Sequence, residues 1–480
     1  MKNQTKMIKL CAALALALAI LLVSSPAVLR AQRDPAEPLK AEPAPKLLPR
    51  PAGAISRRDV DEAGMRSLIE ELVACGTRHS LSSWTDPKRG AGCGRDHIVA
   101  RLNTIAKGSG GKLQVVIDKF EGTGQRTNNK PAHMENVYGV LPGRDPQLAK
   151  TVFIVSGHFD SIGNDLMNPN IDALGADDDA SGVAVSMECA RLLSRAGTGG
   201  GGSYRATLLF AAVSGEEQGL FGAERMLQWV KEQGYTVGGM LDNDIVGADF
   251  APGAPHRVRL FSGTGEQDDA DSPSQELARA IEEIDGRDAV RLVFALDRVG
   301  RGGDHEPFYR AGFPAVRFTE PLEDYRHEHQ APRVENGVEI GDRMKYLNWE
   351  FMGNVARANA EALRQLSLAP AVPAGVKLGG GYTRQVLEHP ETPADAKIAW
   401  SAEEDPERAG FEILWRETTE PRWQTYNFVS SAGETVLKGV STDNHFFAVR
   451  SVGKNGARSI AVPASAPRTP RSPSSVQPAK

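Results

Sequence analysis

The chain has 480 residues, 40% of them hydrophobic, and a formal net charge of −5. This length and apolar content exclude a single small domain and support sizeable cores. The small negative charge gives no sign of the basic patch that nucleic-acid binding requires, so nucleic acid is not an expected partner.

The chain opens with the basic segment MKNQTKMIK, then the apolar run LCAALALALAILLVS and small residues around Ser25–Ala31. Residues 1–31 read as a signal peptide. A retained anchor is the competing reading, but the apolar run falls short of the roughly 20 residues that span a bilayer. The expectation is a secreted or periplasmic protein with no stable membrane anchor. Residues 32–57, rich in Pro, Ala and charge, read as a linker.

In RDVDEAGMRSLIEELVAC, residues Met65, Leu68, Ile69, Leu72 and Val73 recur at helical spacing. A second helix, DHIVARLNTIA, and strands KLQVVIDKF and ENVYGVLPG follow. Beyond Lys150 strands and helices alternate: TVFIVSGH a strand, SGVAVSMECARLLSRAG a helix, YRATLLFAAVS a strand, GLFGAERMLQWVKEQG a helix. GGMLDNDIVGAD, RVRLFSG and PAVRFTE read as strands, and RMKYLNWEFMGNVARANAEALRQL as a closing helix. Near-continuous apolar strands with intervening helices predict an α/β fold over 58–368, a mostly parallel mixed sheet sandwiched by helices. Ligands of such folds collect at the carboxyl ends of strands.

A Pro/Ala/Gly stretch at 369–381 marks a boundary. After it, KIAWSAEED, GFEILWRET, WQTYNFVS, ETVLKGVS and HFFAVRSVGKNG predict a small, separately folding β-sandwich over 369–465. Residues 466–480 read as a disordered tail. Cys75 and Cys93 lie close together, and export leaves two readings open, a disulfide or two free thiols. Cys189 fits a helical pattern as a small core residue. No cysteine has zinc-finger spacing.

Acidic and imidazole residues cluster where these strands end. His158 and Asp160 form an H-x-D pair that alternation puts on one side of a strand, so the carboxylate can orient the imidazole. A turn with an incidental His and Asp is the alternative. Asp177, Asp178 and Asp179 repel one another ahead of an apolar helix, and a helix N-terminus or a divalent cation would relieve that repulsion. Glu216 and Glu217 follow a strand and point in different directions, so one can bind a metal while the other serves as general base. LDNDIVG at 241–247 and DYRHEHQ at 324–330 complete the series.

The ordered series HFD, GADDDASG, SGEE-GL-G, DIVG and a late His resembles the co-catalytic di-zinc aminopeptidase family, in particular secreted bacterial zinc aminopeptidases, over roughly residues 60–365. The C-terminal segment resembles a fibronectin type III module, most closely in DNHFFAVRSVGKNGARS. The first resemblance implies two zinc ions per chain. His158 and Asp244 would hold one, Glu217 and His329 the other, and Asp178 would bridge them. Asp244 is preferred to Asp242 because DIVG matches the family motif. His329 is chosen over His327, although Arg333 stands where the family has an acid. Glu216 matches the general base, Asp160 the partner of His158, and His305 in GGDHEPF the pocket wall. Tyr325 is a candidate oxyanion donor or a surface residue. The family also implies a cis peptide bond between Asp178 and Asp179.

The resulting expectation is a metallo-aminopeptidase that removes N-terminal residues from peptides through a metal-bridging hydroxide. Two alternatives remain. One is a carboxypeptidase or dipeptidase on the same core, with Arg298 or Arg301 gripping the substrate carboxylate. The other is a non-catalytic binding module. The ligand of the β-sandwich is not legible.

Overall fold

β1 (Gln114–Gly122), β2 (Ala132–Leu141), β3 (Thr151–His158), β4 (Thr207–Val213), β5 (Thr236–Asn243), β6 (Val258–Ser262), β7 (Val290–Val293) and β8 (Ala315–Thr319) form one mixed sheet. Its order is β1-β2-β4-β3-β5-β8-β6-β7 in this computed structural model, which describes residues 50–195, 203–253, 256–265, 271–380 and 395–465. These residues all belong to one compact unit, Leu47–Lys480. The expected signal peptide, residues 32–49 of the expected linker and the expected tail lie outside them. Among the described residues no helix is long and apolar enough to cross a membrane.

The fold is α/β, with a central parallel run: β4, β3, β5 and β8 are mutually parallel neighbours. Antiparallel strands flank it, with β1 and β2 on one side and β6 on the other. Strands β3 and β4 are apolar and buried along nearly their whole length, as expected of strands covered on both faces. The covering helices bury their apolar faces in two clusters. Leu68, Ile69, Leu363 and Leu366 belong to the larger, and Met226 and Trp229 to the smaller. The helix Ala180–Ser194 sits tight against the sheet because Gly182 has no side chain: a Cβ there would lie 2.0 Å from the Asn243 carbonyl oxygen.

Cys75 and Cys93 are joined by a disulfide. It ties the end of the helix Glu62–Ala74 to the start of the helix Ala91–Gly108, which begins earlier than the predicted DHIVARLNTIA.

After β8, β9 (Arg333–Glu335) and β10 (Val338–Ile340) pair as a short antiparallel ribbon. At the C-terminus, β11 (Ala374–Gly380), β12 (Ala396–Ser401) and β15 (Gly433–Leu437) form a three-stranded sheet. β13 (Arg408–Glu417), β14 (Thr425–Val429), β16 (His445–Gly453) and β17 (Val462–Pro463) form a four-stranded one. Trp400 and Ile398 from the first sheet share a core with Phe411, Ile413 and Val449 from the second. Two differences from expectation matter. The 369–381 stretch is no bare boundary, since β11 lies within it. Nor is the β unit separate: Ala369, Ala457 and Ile460 belong to the same hydrophobic cluster as the α/β core.

Candidate metal centre

Four chain segments converge at the carboxyl ends of the parallel strands. His158 is the last residue of β3. Glu216 and Glu217 follow β4, Asp244 follows β5, and the segment after β8 carries His329. Strand twist and the helices between the strands bring these ends to one crevice.

The three successive aspartates divide their tasks. Asp179 caps the helix Ala180–Ser194: its Oδ1 accepts the Gly182 N–H at 2.9 Å and its Oδ2 the His158 N–H at 3.0 Å. Asp177 accepts the Gly247 N–H at 2.7 Å. Asp178 alone turns into the crevice. Its Oδ1 lies 3.2 Å from His158 Nε2 and its Oδ2 2.8 Å from His329 Nε2. The Asp178–Asp179 peptide bond is cis. Burial opposes ionisation of Asp178, but the His329 and His158 imidazoles hold its carboxyl well below the usual range.

Two donor sets share Asp178. Ligand atoms of His158, Asp178 and Asp244 lie within 4.8 Å of one another, and so do those of Asp178, Glu217 and His329. Glu217 is 3% exposed, and its Oε1 has no hydrogen-bond partner although His329 Nε2 stands 3.2 Å away. A buried carboxylate oxygen without a donor, imidazole nitrogens and a carboxylate that faces both fit divalent zinc. Glu216 joins His158 and Glu217 in a third such group and is only half-buried. Burial, together with the negative charge of Glu217 and Asp244, raises its carboxyl well above the usual range against the pull of His158.

Asp160 locks this arrangement from behind. Its two oxygens accept the Glu216 and Glu217 N–H groups at 3.3 Å each, and Oδ1 lies 3.5 Å from His158 Nδ1. Ser80 Oγ donates to the same carboxylate at 3.1 Å.

His327 points away from the metal centre, its ring 3.7 Å from that of Tyr346 and stacked on Phe250. His305 is fully buried, with Nδ1 3.3 Å from Asp242 Oδ2 and Nε2 2.9 Å from the Leu296 carbonyl. Asp242 therefore serves His305 while Asp244 faces the crevice. Tyr325 is 65% exposed and lies against Arg301, outside the lining of the cleft. The cleft wall includes three non-glycine residues with left-handed backbones, Leu220, Ile245 and His329, at φ of 62°, 58° and 49°. Such conformations persist where surrounding structure holds them and cluster at functional sites.

Residues beyond those read from the sequence complete the centre. Arg317 of β8, 2% exposed, lies 2.9 Å from Asp244 Oδ2 and 2.8 Å from Asp297 Oδ2. A lone arginine in the apolar strand PAVRFTE was a readable signal. Asp342 accepts the Asp177 and Asp178 N–H groups at 2.8 Å each and so fixes the aspartate turn. Nothing near Asp342 in sequence marks that role. Asp304 is buried with both oxygens unpartnered, and burial beside Asp242 raises its carboxyl well above the usual range.

Residues 136–363 match the family described as Peptidase family M28. A probable zinc metalloprotease of the fungus Leptosphaeria maculans is 35% identical over 425 residues, 84% of this chain and 94% of that protein. One from Pyricularia oryzae is 37% identical over 433 residues, 84% of this chain and 82% of that protein. The crystal structure of the LapA aminopeptidase of Legionella pneumophila is similar at 19% identity and a TM-score of 0.49, covering 66% of this chain and 73% of that one. With fungal relatives this similar along nearly their full length and the metal-ligand geometry above, the chain belongs to peptidase family M28.

Proposed function

We propose that the protein is a secreted di-zinc aminopeptidase that hydrolyses the N-terminal residue of peptides. The observation that carries this reading is Asp178, whose two oxygens face two different imidazoles, each backed by its own further carboxylate. His158 and Asp244 would hold one zinc, Glu217 and His329 the other, with Asp178 common to both. Bound there, the ions would polarise the scissile carbonyl and bring the pKa of a water down towards about 7.

The chain's own groups supply the rest. Glu216 stands beside both donor sets and retains access to the cleft. It would take the proton of the attacking water and return it to the leaving amine. Asp160 would keep that carboxylate aligned through the two N–H groups it accepts, and would hold His158 with Nε2 directed at the metal. Arg317 engages Asp244 Oδ2, leaving Oδ1 on the His158 side, 3.7 Å from Nε2.

Export is supported by the Cys75–Cys93 disulfide, which suits an oxidising compartment. Three plus four antiparallel strands around a Trp400–Phe411 core support a fibronectin type III-like reading of the C-terminal sheets. The function is tested by assaying purified full-length protein on leucine p-nitroanilide and on an N-acetylated counterpart, before and after chelation. Zinc-dependent release from the free-amine substrate alone is expected. Equal cleavage of the blocked substrate would contradict the aminopeptidase reading.

A further inference from the structure

Besides its carboxylates, the cleft of about 450 Å³ is lined by three guanidinium groups, Arg126, Arg301 and Arg317. They are not equivalent. Arg317 is buried and committed to Asp244 and Asp297. Arg301, 27% exposed at its side chain, keeps one ion pair, Nη2 to Glu328 Oε2 at 3.3 Å, and lies against the Tyr325 ring. Arg126 is exposed, and among the described residues no carboxylate lies within ion-pair distance of it. Its Nη1 donates to the Glu217 carbonyl at 2.5 Å, which anchors the side chain against the metal centre. Arg298, the other clamp candidate, is spent elsewhere: Nη1 donates to Asp297 at 2.7 Å and Nη2 to Glu323 at 3.1 Å.

Charge balance gives these contacts a direction. Two divalent ions would neutralise Asp178, Glu216, Glu217 and Asp244. Arg317 is then matched by Asp297 and Arg301 by Glu328, while Arg126 leaves the cleft with a positive excess. A guanidinium already held at one N–H loses less freedom on gripping a ligand and keeps further donors for a bidentate contact with a carboxylate.

We propose that the cleft selects peptides carrying a carboxylate just C-terminal to the scissile bond, gripped by Arg126 with Arg301. This rests on the peptidase reading above. The carboxylate has two possible sources, the free C-terminus of a dipeptide or an acidic side chain at the second residue.

The test uses zinc-loaded full-length protein and three substrates: Leu-Ala, Leu-Ala amide and Leu-Asp amide. A substrate with a correctly placed carboxylate should exceed Leu-Ala amide in kcat/KM by about tenfold, the scale of one charge-assisted contact. That ratio should shrink with added salt. Leu-Ala on the favoured side identifies the C-terminus as the source, and Leu-Asp amide the side chain. In Arg126→Gln, Arg301→Gln and their combination, the ratio should fall towards one. Thermal melts of the variants report folding, and exposed Arg126 gives the safer single variant. A second readout is calorimetric binding of the same three compounds to zinc-loaded Glu216→Gln. Equal kcat/KM for all three, or a ratio that survives in the double variant, would overturn the proposal. Absence of cleavage with zinc bound would overturn the peptidase reading instead, and the calorimetric comparison would still decide the carboxylate preference.

Discussion

The metal centre and the seam between the α/β fold and the C-terminal sheets both bury charge, yet they resolve it in opposite ways. At the seam, several arginines meet carboxylates from across it. Arg422 reaches Glu282 at 2.6 Å, Arg416 reaches Asp271 at 2.6 Å, and Arg450 reaches Glu283 at 2.7 Å. Arg205 joins Asp145 at 2.5 Å to Asp405 at 3.0 Å, and Trp423 Nε1 donates to Glu276 at 2.9 Å. At the centre, carboxylates face one another and two imidazoles, and buried oxygens of Glu217 and Asp304 have no donor. Buried charge persists only when paired or coordinated to a metal. The seam carries its countercharges in the chain, and the centre, on the proposed reading, takes them from outside. Removing external cations should therefore silence the centre and leave the seam intact.

The largest break in that contrast is Asp178→Asn, which should abolish turnover and weaken both zinc sites together, because each donor set uses the same side chain. Loss of a single zinc, measured by metal analysis after dialysis, would separate the two sets. Next, Glu216→Gln should lower kcat by about 10²–10⁴-fold, the range for general-base work, with zinc content unchanged. At the seam, Arg205→Met removes the 3.0 Å partner of the buried Asp405 carboxylate, leaving it Arg408 at 4.0 Å, and should cost stability, by up to about 3–5 kcal/mol. Thermal unfolding should move down while zinc content holds. A variant that melts like wild type would mean the seam contributes little. By the same logic, deleting residues 369–480 should destabilise the α/β fold, since Ile460 and Ala457 leave its core.

The smallest effect concerns pH. Burial pushes the Glu276 carboxyl up to about 7, with Arg279 and the Trp423 N–H opposing the rise. A carboxyl raised in the folded state binds a proton there that the unfolded chain has already lost. Its contribution should therefore be greatest at low pH and decline between about 4.5 and 7, staying flat above. Glu276→Gln should remove that slope from melting temperatures measured across the window. An unchanged slope would assign it to another group.

Much of the centre was legible because its residues sit at the ends of apolar strands, where β3, β4 and β5 announce themselves by composition. The motif order then pointed to roles for His158, Asp178, Glu216, Glu217 and Asp244. The motif left His327 beside the chosen His329, and the fold separates them: His327 packs its ring against Tyr346, while His329 meets Asp178. Whereas Arg317 carried a signal in its apolar strand that went unread, Asp342 escaped because its partners lie far away in sequence, 164 and 165 positions earlier. The seam was illegible for the same reason. Arg205 meets Asp405 across 200 residues, and Arg422 meets Glu282 across 140. Short alternating strands after a Pro-rich stretch predict a β unit correctly but say nothing about what it packs against. The helix Pro273–Asp285, which carries much of that seam, is absent from the predicted elements despite its Ser272 cap and Pro273 start.

On the proposed reading, two cations supplied from outside the chain share Asp178. Zinc titration of metal-free full-length protein, followed by calorimetry and elemental analysis, tests that sharing directly. Two zinc ions per wild-type chain are expected, two in Glu216→Gln, and impaired binding of both in Asp178→Asn. A single zinc in the wild type, or two undisturbed zinc ions in Asp178→Asn, would contradict it.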